Sequence, residues 1–320
     1  MQEQLIKRAK ELLADGSVQK VLGWQKGLFD EDVTPAVFTS AEELDKGFVF
    51  NKYCAANLSK YLVKITREIE IKKSTTRMNN TMAKQRDPNA ADAPIPRERV
   101  LVFLKPNDTY SYTELLKENR ITREDVYAIG VPCQDTLEGG TGKTCLNCAN
   151  KKPVSCDELI GVDAELEQVE SGRLEEVAKI EAMNAEERYD FWQKEFSRCI
   201  RCNACRNVCP ACTCEKCVFD NNALYTSQKV AETSFEESLF HIVRAWHVAG
   251  RCTDCGECSR VCPQGIPLHL LNRKFIKDIN EIYGSYQAGS DLETRPPMLT
   301  FKEEDPEATI ISDRVEGGNA

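Results

Sequence analysis

The chain has little histidine, no long apolar run and no basic surplus, and each shortage removes a class of function. Its three histidines never stand in an H-x3-H arrangement, so a helical two-histidine metal site is excluded. No stretch reaches the roughly 18 uncharged apolar residues that cross a bilayer, so no membrane span is expected. The opening segment MQEQLIKRAKELLADG is charged and amphipathic and holds no apolar signal core, from which a cytoplasmic protein is expected. A net charge of -9 speaks against a nucleic-acid surface, because phosphates need Lys and Arg to replace their counterions. A G-x-G-x-x-G fingerprint is missing. Gly139-Gly140-Thr141-Gly142-Lys143-Thr144 resembles the end of a phosphate-binding P-loop, but Leu137 stands where that motif needs a glycine.

What the chain has in quantity is cysteine, sixteen in 320 residues. Without a secretory signal, a dense cysteine pattern reads as metal binding rather than as a disulfide scaffold. Two segments repeat one another: Cys199-Ile-Arg-Cys202-Asn-Ala-Cys205-Arg-Asn-Val-Cys209-Pro210 and Cys252-Thr-Asp-Cys255-Gly-Glu-Cys258-Ser-Arg-Val-Cys262-Pro263. Each is C-x2-C-x2-C-x3-C-P, a spacing that wraps three thiolates around one cubane and directs the fourth to the neighbouring one. Cys199, Cys202, Cys205 and Cys262 are therefore expected to hold one 4Fe-4S cluster, and Cys252, Cys255, Cys258 and Cys209 a second. Zinc uses well-separated cysteine pairs, and four cysteines in one short segment, twice over, exceed its need.

Other thiols leave alternatives open. Cys212, Cys214 and Cys217 form a C-x-C-x2-C run directly after the first motif, either as ligands of a further cluster or as soft packing residues beside the clusters. Cys133, Cys145, Cys148 and Cys156 bracket a glycine-rich loop; a third 4Fe-4S cluster is expected there, with zinc as the alternative. Cys54 stands alone and reads as core. Between the two motifs, Phe235, Leu239, Ile242, Val243 and Trp246 recur at helical intervals, so a helix bridges them, and His241, His247 and His269 read as ordinary helical histidines.

Periodicity predicts a helix over 2–14, short apolar runs at 18–24 and 34–40, a helix from Leu58 to about Ile69, and an exposed loop over 72–98. A strand at 99–106, a helix in YSYTELLKENR and a strand at 126–132 then make a β-α-β run. The expected fold is an α/β N-terminal domain with a mixed or parallel sheet, plus a helix-rich, dicluster ferredoxin-like α+β C-terminal domain. The expected divisions are 1–160 for the α/β domain, 161–196 for a helical connector, 197–283 for the ferredoxin-like domain and 284–320 for an extended acidic tail.

The stretches AVFTSAEELDKGFVFNKYCAANLSKYL, VLVFLKPNDTYSYTELLKENRIT and VYAIGVPCQDTLEGG resemble the beta subunits of deazaflavin-reducing hydrogenases and formate dehydrogenases, over about residues 15–160. The later block CIRCNACRNVCPACTCEKC with CTDCGECSRVCPQGIPLHLLNRKF looks like the dicluster ferredoxin that related iron–sulfur subunits fuse to this module. Family members often carry cysteine where Asn107 follows Lys105-Pro106 here, and in this reading Cys156 substitutes for it. The resemblance implies a redox subunit of an anaerobic oxidoreductase complex, with hydrogenase, formate dehydrogenase or electron-bifurcating partners, a flavoprotein, or ferredoxin. Two other functions stay open: a flavin-binding subunit that itself reduces a deazaflavin, and a docking subunit like those of heterodisulfide reductases.

Overall fold

A computed structural model describes residues 1–133, 152–162, 172–220, 235–300 and 303. Helix α1 (Gln2–Ala14) buries Leu5, Ala9 and Leu12, whose spacing puts them on one helix face. Strands β1 (Lys20–Lys26) and β2 (Val33–Phe38) pair antiparallel. Helix α2 (Ala41–Gly47) starts at Ser40, whose hydroxyl accepts from the Glu43 N–H at 3.2 Å. Helix α3 (Ser59–Arg86) leads to β3 (Val100–Leu104), buried along its whole length, and then to α4 (Pro106–Lys117), which opens on the proline that a first helical turn tolerates. Strands β4 (Val126–Gly130) and β5 (Glu158–Leu159) complete a mixed sheet of order β2-β1-β3-β4-β5, parallel everywhere except β1 with β2. The β3-α4-β4 unit is the expected β-α-β run.

Helix α3 corrects the loop expected over 72–98 as far as Arg86, while 87–98 carry no helix or strand, as expected. It continues to Arg86 without an apolar stripe, because its second half stands in solvent and needs none. Lys, Arg, Met and Gln are good helix formers, and Thr76 and Thr81 close their hydroxyls onto the Lys72 and Arg77 carbonyls at 3.0 Å. Asn80 exchanges two 2.9 Å hydrogen bonds with Ala93, so the chain after the helix folds back along it.

Beyond β5 all described elements are helices or single 3-10 turns: α5 (Glu175–Glu181), α6 (Ala185–Ser197), α7 (Ala204–Asn207), α8 (Phe235–His247), α9 (Glu257–Arg260) and α10 (Leu268–Tyr283). The α+β expectation for this half finds no strand among the described residues. A reciprocal capping box between Asn184 and Glu187 sets the start of α6. Helix α8 packs on α6 and α10, and α7 lies against α9. Residues 284–300, read from sequence as part of a tail, run against α4 and α10: Tyr286 and Ala288 are buried, and Lys117 donates to the Thr294 carbonyl. At Gly289, φ is +73° and any Cβ would overlap the Tyr110 carbonyl. Among the described residues no helix is long and apolar enough to cross a membrane.

Candidate metal centres

The two cysteine motifs adopt the same backbone path. Arg201 and Asp254, each two residues after the first cysteine, have φ of 52° and 59°; Asn203 and Gly256, two further on, have 60° and 72°. Three of these four are side-chain-bearing residues in the left-handed region, a conformation costing about 1–3 kcal/mol each that persists where surrounding structure dictates it. Each path then enters a one-turn helix, α7 or α9, carrying the buried third cysteine, Cys205 or Cys258. In the first motif the turned backbone also aims the Arg201 N–H at Cys199 Sγ, 3.3 Å away.

Cys199, Cys202 and Cys205 share one cavity with Cys262 of the other motif, and Phe240, His241, Ile266 and Leu268 wall it. Counted with its opening to solvent, it holds about 350 Å³ of atom-free space. Four thiolates at about 2.3 Å from one zinc would stand only about 4 Å apart. Among the described residues no three cysteine sulfurs lie within 4.8 Å of one another. The donor set therefore suits a body larger than a single ion, as a cubane is.

The second set lies at a seam with α4. Cys209, Cys252 and Cys255 line about 310 Å³ of atom-free space together with Ser111 and Glu114 of α4, Glu118 just beyond it, and Arg251. Cys258 stands off that wall, buried, with the Asn272 side-chain amide donating to its sulfur at 3.5 Å. Burial pushes the thiols of Cys252 and Cys255 well up and that of Cys258 to about 11, so holding them as thiolates takes cationic iron alongside. Cys209 moves down, because the Cys212 thiol donates a hydrogen bond to it.

The remaining cysteines divide. Cys212 is at the second set, and its carbonyl accepts from Lys60 of α3. Cys214 is exposed and Cys217 half-buried beside Arg206. Cys133 and Cys156 are both half-buried at the end of β4, where the Gly130 N–H donates to Cys156. Cys145 and Cys148, with the P-loop-like segment 139–144, lie outside the described residues. Cys54 sits in the core of the sheet unit, as expected, and accepts from the Asn51 N–H.

Helix α8 forms where the apolar spacing predicts a helix between the two motifs. Of the apolar residues that mark it, Phe235, Leu239, Ile242 and Trp246 are exposed, whereas Glu237, His241 and Arg244 are at most 2% exposed. Their spacing puts these three on one helix face. His241 stacks on Phe196 at 4.5 Å and meets the edge of Phe240 at 5.0 Å, and neither ring nitrogen has a hydrogen-bond partner among the described residues. Burial, then the Arg244 and Arg201 charges, hold it neutral with a pKa of about 3. Donor atoms of Cys199, Glu237 and His241 lie within 4.8 Å of one another, and Glu237 pairs with Arg201 at 3.0 Å. A charged i, i+4, i+7 set opposite an apolar stripe was the one sequence signal for this polar wall.

The paired cysteine wraps define a class of protein, and residues 195–266 match the 4Fe-4S dicluster domain family. The chain thus carries a C-terminal 4Fe-4S dicluster domain. It is 29% identical over 139 residues to the F420-dependent formate dehydrogenase subunit beta of Methanocaldococcus jannaschii, covering 42% of this chain and 35% of the relative. To the F420-dependent formate dehydrogenase 1 subunit beta of Methanococcus maripaludis it is 27% identical over 117 residues, covering 36% of this chain and 29% of the relative. The chain spans about a third of the length of these relatives. It is an iron–sulfur protein similar to formate dehydrogenase beta subunits.

Proposed function

We propose that this chain is an electron-transfer subunit of a cytoplasmic, anaerobic formate dehydrogenase-like complex, passing electrons between a flavoprotein or ferredoxin and a catalytic partner of the formate dehydrogenase or hydrogenase kind. The observation that carries this reading is the single cavity shared by Cys199, Cys202, Cys205 and the cross-motif Cys262. A 4Fe-4S cluster, when bound, takes up and gives back one electron. The chain's own residues supply the rest. Cys199, Cys202, Cys205 and Cys262 would hold one cluster and Cys252, Cys255, Cys258 and Cys209 the other, while Phe240, Ile266 and Leu268 exclude water from the first. No general acid, base or nucleophile is required of it.

Cys133, Cys145, Cys148 and Cys156 are proposed as ligands of a third cluster, on the strength of their clustering in sequence and of Cys133 and Cys156 flanking the end of β4. Iron, sulfide, zinc and flavin analysis of the anaerobically purified chain tests the whole reading. We expect about eight irons per chain from the two ferredoxin motifs, and about twelve with the third centre. Four or fewer in fully loaded protein would contradict it. Replacing Cys262 by Ala should abolish the cluster of Cys199, Cys202 and Cys205 and spare the other; loss confined to the Cys252 cluster would refute crossed ligation.

A further inference from the structure

Arg244 is the least expected residue in the dicluster unit. It projects from the inward face of α8, is 2% exposed, and none of its three guanidinium nitrogens has a hydrogen-bond partner among the described residues. A fully buried guanidinium carries a heavy desolvation penalty, so a charge left without a carboxylate must be answered by something else. Its electrostatic neighbours are sulfurs: Cys258, Cys205, Cys209 and Cys212. Cys205 belongs to one ligand set, Cys209 and Cys258 to the other, so this one cation is within electrostatic reach of both. A guanidinium keeps its proton in any protein environment.

Resting on the cluster assignment above, we propose that Arg244 is a potential-setting cation shared by both clusters. Adding one electron to a 4Fe-4S cluster adds one negative charge, and nothing else need move. A fixed positive charge stabilises the reduced form and raises the potential. A charge lying between two clusters acts on both, and lessens the repulsion between them when both are reduced.

The test is an anaerobic redox titration of the full, iron-loaded chain, followed by electron paramagnetic resonance of the reduced clusters, with iron and sulfide counted in every sample. In Arg244→Met, similar in length and uncharged, the reduced-to-oxidised ratio of both clusters at the wild-type midpoint should fall at least tenfold, a drop of about 59 mV for one electron. Arg244→Lys keeps the charge and loses the fork of donors, so both should shift by less. Fully loaded Arg244→Met protein titrating at wild-type potentials would overturn the proposal, as would a shift of one cluster alone. Should Arg244→Met lose its iron, Arg244→Lys decides: a downward shift of both clusters supports the proposal, and full loading at unchanged potentials overturns it. Failure of both variants to hold iron would likewise overturn it, leaving Arg244 a residue of assembly. A fully loaded wild-type chain with about four irons or fewer would instead defeat the cluster assignment itself.

Discussion

Asp108 lies in the first turn of α4, buried, with the Lys105 ammonium 3.5 Å from one carboxylate oxygen. Burial dominates and raises its pKa to about 7, with Glu257 adding to the rise and Lys105 opposing it. A folded pKa above the unfolded one means that the native state binds the proton more tightly. This contribution to stability is complete below the unfolded value near 4 and is lost as pH climbs through about 7. Asp108→Asn, neutral at every pH, should flatten the decline: its urea midpoint should exceed that of the parent at pH 8 and approach it at pH 4.5. An unchanged pH slope would show that Asp108 is ionised throughout. At this scale the cysteines were legible because each wrap is local, its ligands spaced by the turns of a few residues. Glu237, His241 and Arg244 were not, because a charged helix face reads as solvent-facing until packing shows what lies against it.

Helix α3 teaches the converse. Its first half was legible from Leu62, Ile65 and Ile69, which it buries, whereas its second half buries no apolar side chain and left no periodicity to read. One buried contact ties that half down: Lys73, 14% exposed, pairs with Asp125, 2% exposed, in the turn before β4. Removing one member of a buried pair leaves the other charge desolvated, typically at about 3–5 kcal/mol. Lys73→Met should therefore lower stability by about 3 kcal/mol, and adding Asp125→Asn should restore part of it. Urea unfolding with an unchanged m-value checks this. Equal midpoints for Lys73→Met and parent would mean that Asp125 draws its compensation from elsewhere.

The sheet unit and the cysteine-rich unit meet along residues that no local pattern joins. The Asn57 N–H donates to Glu257 at 3.3 Å, Ser111 and Thr253 share a 2.8 Å hydroxyl hydrogen bond, Glu118 pairs with Arg251, and Lys60 reaches the Cys212 carbonyl. The strands and the helix between them were readable one by one, but this seam depends on contacts between residues more than a hundred positions apart, which periodicity does not record. Its consequence is asymmetry. The Cys209, Cys252 and Cys255 cavity is closed on one side by α4, whereas the Cys199 cavity is walled by the helical unit alone. A larger side chain at Ser111 should thus intrude on the second set and leave the first intact, since a packed site does not admit extra methylenes without displacement. Ser111→Leu is expected to lower the iron content by about four per chain. The cluster signal that remains should vanish on adding Cys199→Ala and be indifferent to adding Cys252→Ala. A remaining signal with the opposite dependence would put α4 beside the other cluster, and full iron content in Ser111→Leu would mean that the seam yields without disturbing either site.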